Sequence, residues 1–182
     1  MDNRGDDELM RTIASGDEDG LRVLMERWER PVFGFLVRML QSEEDARELT
    51  SETFYRVYRN APSYRAEGKF KSWLFRISGN LARSALRRKR ILRWVGIDEA
   101  PEPRASPSTQ PDDVLEARAR AEALEVAVQS LPARQRQAIL LRLETGMSYR
   151  EIADTMHTSV SAVETLLHRA TTRLKQRMGG LT

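Results

Sequence analysis

Apolar residues recur every three or four positions along most of the chain, the spacing that places them on one face of a helix. Leu9, Met10 and Ile13 predict a short first helix. Leu21, Leu24, Met25, Trp28, Val32, Phe35, Leu36, Met39 and Leu40 form one long stripe. Pro31 lies inside that stripe and is expected to kink or interrupt it, because proline donates no backbone hydrogen bond. Ser42 followed by Asp45 resembles a capping box. It opens a helix with Ala46, Leu49, Thr53, Phe54 and Val57 inward. Pro62, Gly68 and the polar residues between them read as a loop. Phe70, Trp73, Leu74, Ile77, Leu81 and Ala85 then line one face of a long helix that runs into Arg87-Arg88-Lys89-Arg90.

Ile97–Asp112 breaks the pattern. It contains Pro101, Pro103, Pro107 and Pro111, four of the seven prolines, and almost no large apolar side chain. Such a segment cannot bury a core and reads as an extended linker. It divides the chain into residues 1–95, a linker at 96–112, and residues 113–182. Beyond it, Val114, Ala117, Ala121, Leu124, Val128 and Leu131 mark another helix. Pro132 suits the first turn of the next helix, which carries Ala138, Ile139 and Leu141 inward and stops at Gly146. Ser148 and Glu151 make a capping box for a short helix bearing Tyr149, Ile152, Ala153 and Met156. After Met156-His157-Thr158, a last helix buries Val160, Val163, Leu167, Ala170 and Leu174. No alternating period-two run of useful length appears. The expected fold is all-α: two small helical domains joined by a proline-rich linker, the second ending in a helix-turn-helix.

Composition narrows the chemistry. The 182 residues contain no cysteine and two histidines, His157 and His168. Disulfides, thiolate metal sites and a cysteine nucleophile are therefore excluded, and no metal or cofactor is expected. No apolar run is long enough to cross a bilayer. Asp2, Asp6, Asp7 and Glu8 have the wrong sign for a signal or transit peptide, so a cytoplasmic location is expected. The net charge of +3 is segmented, with residues 1–60 at −5, 61–95 at +9, 96–130 at −5 and 131–182 at +4. Two basic blocks separated by an acidic one suggest two places that meet a polyanion, although charge runs are also simply solvated faces.

The last two helices have the layout of a helix-turn-helix, with a short capped helix, a tight turn and a longer second helix. Ala153 is small enough for the crossing, and Val160, Val163 and Leu167 would lock the second helix. Its other face offers Ser161, Glu164, Thr165, His168 and Arg169 to a major groove, with Arg173 farther along. An ordinary helical hairpin with a polar outer face has the same pattern. In the first half, Phe70–Arg90 interleaves aromatic and basic residues, as a surface for unpaired bases and backbone phosphates would, while the aromatics also suit a core. The acidic helix after Ser42 has a face of the kind more often solvated than docked; it repels nucleic acid, so any partner there is a protein. No metal cluster, phosphate-cradling loop or nucleophile–base pair points to an enzyme.

Three segments in register resemble the extracytoplasmic-function class of bacterial RNA polymerase sigma factors: DARELTSETFYRVYR (45–59), FKSWLFRISGNLARSALRRKR (70–90) and SLPARQRQAILLRLETGMSYREIADTMHTSVSAVETLLHRATTRLKQRM (130–178). The resemblance covers nearly the whole chain and implies roles for its residues. Asp45, Glu48, Leu49, Glu52 and Phe54 would dock on the β′ clamp of core RNA polymerase. The loop Tyr64–Lys71, with Tyr64, Lys69 and Lys71, and helix residues Asn80, Arg83, Ser84 and Arg87 would hold the melted −10 strand of promoter DNA. Ser159, Ser161, Glu164, Thr165, His168, Arg169 and Arg173 would bind the −35 element. The linker would thread toward the active-site cleft and RNA exit channel, and the partners implied are the β′ clamp and β subunits of core polymerase and promoter DNA. With no further domain after Met178, sensing would fall to a separate anti-sigma factor. Two departures stand out. His157 occupies a turn position where the family often has glycine. Glu164 and Leu166 stand where many members carry basic residues. A stand-alone helix-turn-helix regulator is the alternative, but no heptad or spare apolar helix is left for a dimer seam.

Overall fold

The structure, a computed structural model, describes residues 3–96 and 112–179. Eight α-helices and no strand occur among them. The first bundle contains α1 (Asp6–Ala14), α2 (Glu18–Leu40), α3 (Glu43–Asn60) and α4 (Phe70–Trp94), with one 3-10 turn at Ala61–Ser63. The second contains α5 (Asp112–Gln129), α6 (Ala133–Thr145), α7 (Tyr149–Met156) and α8 (Val160–Met178). The linker 97–111 and the side chains of Val114 and Ala117 lie outside the described residues.

In the first bundle, α2 is the spine. Val23, Leu24, Val32, Phe35, Leu36, Met39 and Leu40 are buried along it against α1, α3 and α4. The ring of Phe35 meets that of Phe75 edge-on at 5.4 Å, a geometry that aromatic quadrupoles favour. Pro31 does not interrupt the helix, which runs unbroken from Glu18 to Leu40. Pro31 itself is exposed, while Val32 and Phe35 beyond it are buried in the same core as Leu24. Full burial of side chains of this size is worth roughly 1.5–3 kcal/mol each, comparable with the cost of a helical proline of about 3 kcal/mol, so packing on both sides carries the helix through. The helix stops at Gln41, whose φ of 62° is left-handed.

Ser42 caps α3 by accepting from Asp45 N–H at 3.1 Å. The expected reciprocal arm is absent, because the Asp45 carboxylate pairs with Lys89 Nζ of α4. Along α4 the single predicted stripe is also incomplete. Phe70 and Leu74 are buried as expected, but Trp73, Ile77, Leu81 and Ala85 are only half-buried, whereas Phe75, Ser78, Gly79 and Ala82 are buried. Two faces of α4 are covered, one by α2 and α3, the other by α6 and α7 of the second bundle.

In the second bundle, α6 is sheathed. Every residue from Gln135 to Leu141 is buried, against α2, α4, α7 and α8. Pro132 is the residue before the helix rather than part of its first turn, and Gly146 ends it at φ 66°. The capping box of α7 forms in both directions: Glu151 N–H to Ser148 Oγ at 3.3 Å, and Ser148 N–H to Glu151 Oε2 at 2.7 Å. Val163, Leu167 and Ala170 of α8 are buried, Leu174 is half-buried, and Val160 is exposed, contrary to expectation, because it opens the helix at the solvent end. Ala121 and Leu124 of α5 are likewise exposed, where Ala127 and Leu131 are buried.

Candidate nucleic-acid interface

Three surfaces carry the side chains singled out by sequence. The first lies at the start of α4 and the loop before it. Tyr64 leans on Trp73, ring centroids 4.9 Å apart, and on Phe70 at 6.1 Å. Beside this aromatic stack is an open cavity of about 450 Å³, lined by Asn60, Tyr64, Arg65, Lys69, Trp73 and Arg76 among others. An aromatic wall with guanidinium and ammonium groups at its rim suits a stacked base and its phosphate. Asp7 of α1 holds the loop in shape. Its carboxylate accepts from the Tyr64 hydroxyl and from Gly68 N–H, each at 2.6 Å. Burial, and then this bond to Asp7, push the Tyr64 hydroxyl well above its usual pKa, so it is a donor throughout the physiological range. Gly68 itself sits at φ 71°, a backbone that a Cβ would strain. Asp7, Trp73 and Arg76 were not among the predicted site residues. Asp7 lies more than fifty residues from its two loop partners, and no local spacing signals that.

Farther along α4, Asn80, Ser84 and Arg87 are exposed on one side. Asn80 Oδ1 accepts from Arg83 Nη2 at 2.5 Å. Three other cations of this surface face the second bundle. Lys69 Nζ meets Asp154 Oδ2 at 3.1 Å, Arg76 donates to the Asp154 carbonyl at 2.8 Å, and Lys71 Nζ donates to the Thr145 carbonyl. Arg83 also turns there, donating to Gln137 Oε1 at 2.5 Å.

The second surface is the acidic face of α3. Glu48 is exposed, Leu49 is half-buried and Glu52 pairs with Arg56 at 2.7 Å. Asp45 is half-buried beside Lys89. Phe54 is 3% exposed, inward as its helical spacing predicts, so it supports the face from within rather than forming the docking surface that the resemblance implies. Tyr55 and Tyr58, 57% and 46% exposed, are the aromatics that α3 presents outward.

The third surface is the helix-turn-helix. His157 lies between α7 and α8 at φ 47°, ψ 60°, the left-handed conformation that lets α7 end and the chain turn within three residues. Ser159 caps α8 by accepting from Ala162 N–H at 3.2 Å and shares a hydrogen bond with Ser161 Oγ at 3.0 Å. Thr165 bonds back to the Ser161 carbonyl. Ser161, Glu164, Thr165, His168 and Arg169 are all exposed along one side of α8, opposite buried Val163, Leu167 and Ala170. Glu164 neither caps the helix through Ser161 nor pairs with a cation among the described residues, so its carboxylate is open to a donor. Arg173 is turned to its own bundle and donates to Gln135 Oε1 at 3.2 Å.

Among the described residues no cluster of three metal-ligating side chains occurs, and no helix is long and apolar enough to cross a membrane. Comparison with known proteins identifies the family. Residues 24–91 match the family described as Sigma-70 region 2, and residues 121–174 the one described as Sigma-70, region 4. RNA polymerase sigma factor CarQ of Myxococcus xanthus is 31% identical over 172 residues, covering 94% of this chain and 97% of that protein. ECF RNA polymerase sigma factor SigE of Mycolicibacterium smegmatis is 29% identical over 166 residues, covering 87% of this chain and 64% of that protein. In three dimensions the chain is similar to CnrH, solved in complex with the cytosolic domain of CnrY, with a TM-score of 0.73 at 23% identity over 97% of this chain and 99% of that one. It is also similar to the sigma factor RpoE of Bartonella quintana, solved with the anti-sigma factor NepR, with a TM-score of 0.70 at 21% identity over 87% and 96%. The two matched regions, in this order on two helical bundles, together with a relative 31% identical and matched along nearly its whole length, make this chain a member of the extracytoplasmic-function RNA polymerase sigma factors: an alternative sigma factor that binds core polymerase and directs promoter-specific initiation.

Proposed function

We propose a division of labour among the three surfaces. The loop Tyr64–Lys71 and the exposed side of α4, with Asn80, Arg83, Ser84 and Arg87, hold the melted −10 strand. The acidic face of α3, with Glu48 and Glu52 foremost and Tyr55 and Tyr58 added, docks on the β′ clamp. The exposed side of α8 reads the −35 element, with Glu164 accepting from a base donor such as cytosine N4. The linker 97–111 runs toward the polymerase active-site cleft, where its acidic, proline-rich sequence acts as a stand-in for nucleic acid. An anti-sigma factor holds the chain inactive in the cytoplasm until a signal arrives. The chain acts by binding, and the polymerase supplies the catalysis.

The observation that carries the −10 assignment is the aromatic stack of Tyr64, Phe70 and Trp73 beside a cation-rimmed cavity. It is followed along the same helix by exposed Asn80, whose amide both donates and accepts. The test is promoter opening by holoenzyme carrying Asn80→Ala, read by permanganate reactivity of the bubble. A lost base contact costs about 1–3 kcal/mol, so opening should fall roughly five- to hundredfold with core binding unchanged. Opening equal to that of the wild type at every promoter rules out a base contact by Asn80.

A further inference from the structure

Asn80 and Arg83 stand one turn apart on α4, a spacing that lets their side chains meet. Arg83 Nη2 donates to Asn80 Oδ1 at 2.5 Å. A guanidinium has five donors and no acceptor, so the amide atom that faces it is the oxygen. The other arm of the guanidinium donates to Gln137 Oε1 in the second bundle, but the bond to Asn80 lies wholly within α4. Asn80 Nδ2 makes no hydrogen bond among the described residues, and the residue is exposed. The amide is therefore turned one way, its acceptor spent inside the helix and both donors left for a ligand. Asn60, in the wall of the neighbouring cavity, is turned the other way, donating from Nδ2 to the Arg56 carbonyl at 2.8 Å. Ser84, one turn beyond Asn80, has a hydroxyl that rotates to donate or accept and makes no such distinction.

We infer that Arg83 is a positioning residue that makes Asn80 a donor-only reader, selecting a keto base over an amino base at one position of the melted −10 strand. The inference rests on the −10 assignment above and names the bases that Asn80 admits. An unrestrained asparagine is tolerant, because it can turn its amide over to donate to one base and accept from another. Its two-point match is adenine, which donates from N6 and accepts at N7. That match needs the oxygen that Arg83 holds. With the oxygen held, Nδ2 meets thymine O4 or guanine O6 as a donor meets an acceptor. Cytosine N4 or adenine N6 brings donor against donor. Turning the amide over would break a charge-assisted hydrogen bond and set Nδ2 against a guanidinium. The penalty is that of one mismatched base contact, so keto bases should be favoured about tenfold.

The test is holoenzyme on a promoter library randomised through the −10 element, with heparin-resistant open complexes recovered and sequenced. Wild type, Asn80→Ala, Arg83→Met and Arg83→Lys are compared. Methionine keeps the stem of Arg83 and removes its donors, whereas lysine keeps a cationic donor of similar reach. The wild type should enrich thymine and guanine at one position, and Asn80→Ala should flatten that position alone. Arg83→Met should admit adenine and cytosine at the same position, bringing the keto-to-amino ratio to within about twofold of unity. Arg83→Lys should restore most of the preference.

A side chain that served only folding or phosphate binding would lower recovery of all sequences alike. An unchanged base preference in Arg83→Met, whatever its yield, therefore overturns the inference. A wild-type preference for adenine or cytosine at the position that Asn80→Ala flattens overturns it without recourse to any Arg83 variant. If Asn80→Ala flattens no position, the assignment of Asn80 to the −10 strand fails, and its orientation by Arg83 loses its role with it.

Discussion

Replacing Arg136 by Met should cost this chain much of its stability, and the structure says why. Arg136 is 8% exposed. Its guanidinium donates to three backbone carbonyls: Met39 at 2.7 Å, Leu131 at 3.3 Å, and Gln129. Met39 is near the C-terminal end of α2 and Gln129 is the last residue of α5, so one side chain caps two helices and bridges the two bundles. Methionine keeps the apolar stem and removes the donors. A hydrogen bond from a charged donor contributes roughly 1.5–3 kcal/mol, but desolvating a guanidinium offsets part of that. Burial lowers the pKa of Arg136, the signature of that desolvation. With three carbonyls left unpaired, a net loss of about 2–4 kcal/mol is expected. Urea unfolding followed by circular dichroism measures it, with the slope checked for loss of cooperativity. A loss under about 1 kcal/mol would mean that water replaces the guanidinium freely, and that Arg136 is not the joint described here.

Two further outcomes are expected. His157→Gly should be neutral or mildly stabilising by up to about 1 kcal/mol in a thermal melt, because residue 157 is at φ 47°, where glycine carries no Cβ penalty; a loss of stability would show that the imidazole makes a contact the turn depends on. Asp7→Ala removes both anchors of the loop before α4, so the holoenzyme should discriminate poorly among −10 sequences while retaining core and −35 binding; unchanged discrimination in a randomised −10 library would mean that Tyr64 and Gly68 keep their places unaided.

The second bundle was legible in sequence where its structure is decided locally. Ser148 and Glu151 close their box within four residues, Gly146 and His157 adopt left-handed backbone, and Val163, Leu167 and Ala170 lock the last helix. What escaped reading depends on distant partners. Gln135, Arg136 and Gln137 belong by type on a solvated face, yet all are buried, because α6 is covered on every side and their polar ends reach α8, α2 and α4. Phe54 and Tyr55 are adjacent aromatics, and a one-residue step on the helix decides which is core and which is surface. The site residues of α4 were found by type and spacing, but their present occupation by the other bundle was invisible, since Gln137 is 54 residues from Arg83.

The number of residues between the two bundles gives the seam a quantitative meaning. Fifteen residues, 97–111, join Gly96 to Asp112, and a chain of that length reaches at most about 50 Å. Over such a reach each bundle meets the other at an effective concentration on the order of millimolar. An interface with an intrinsic dissociation constant near 0.1 mM, too weak to hold two separate proteins together in dilute solution, would then stay closed about nine-tenths of the time. The seam packs buried α6 against α2 and α4 and adds the ion pairs Arg38–Glu144 and Lys69–Asp154. Lengthening that segment would lower the effective concentration and weaken the seam without altering a single contact between the bundles.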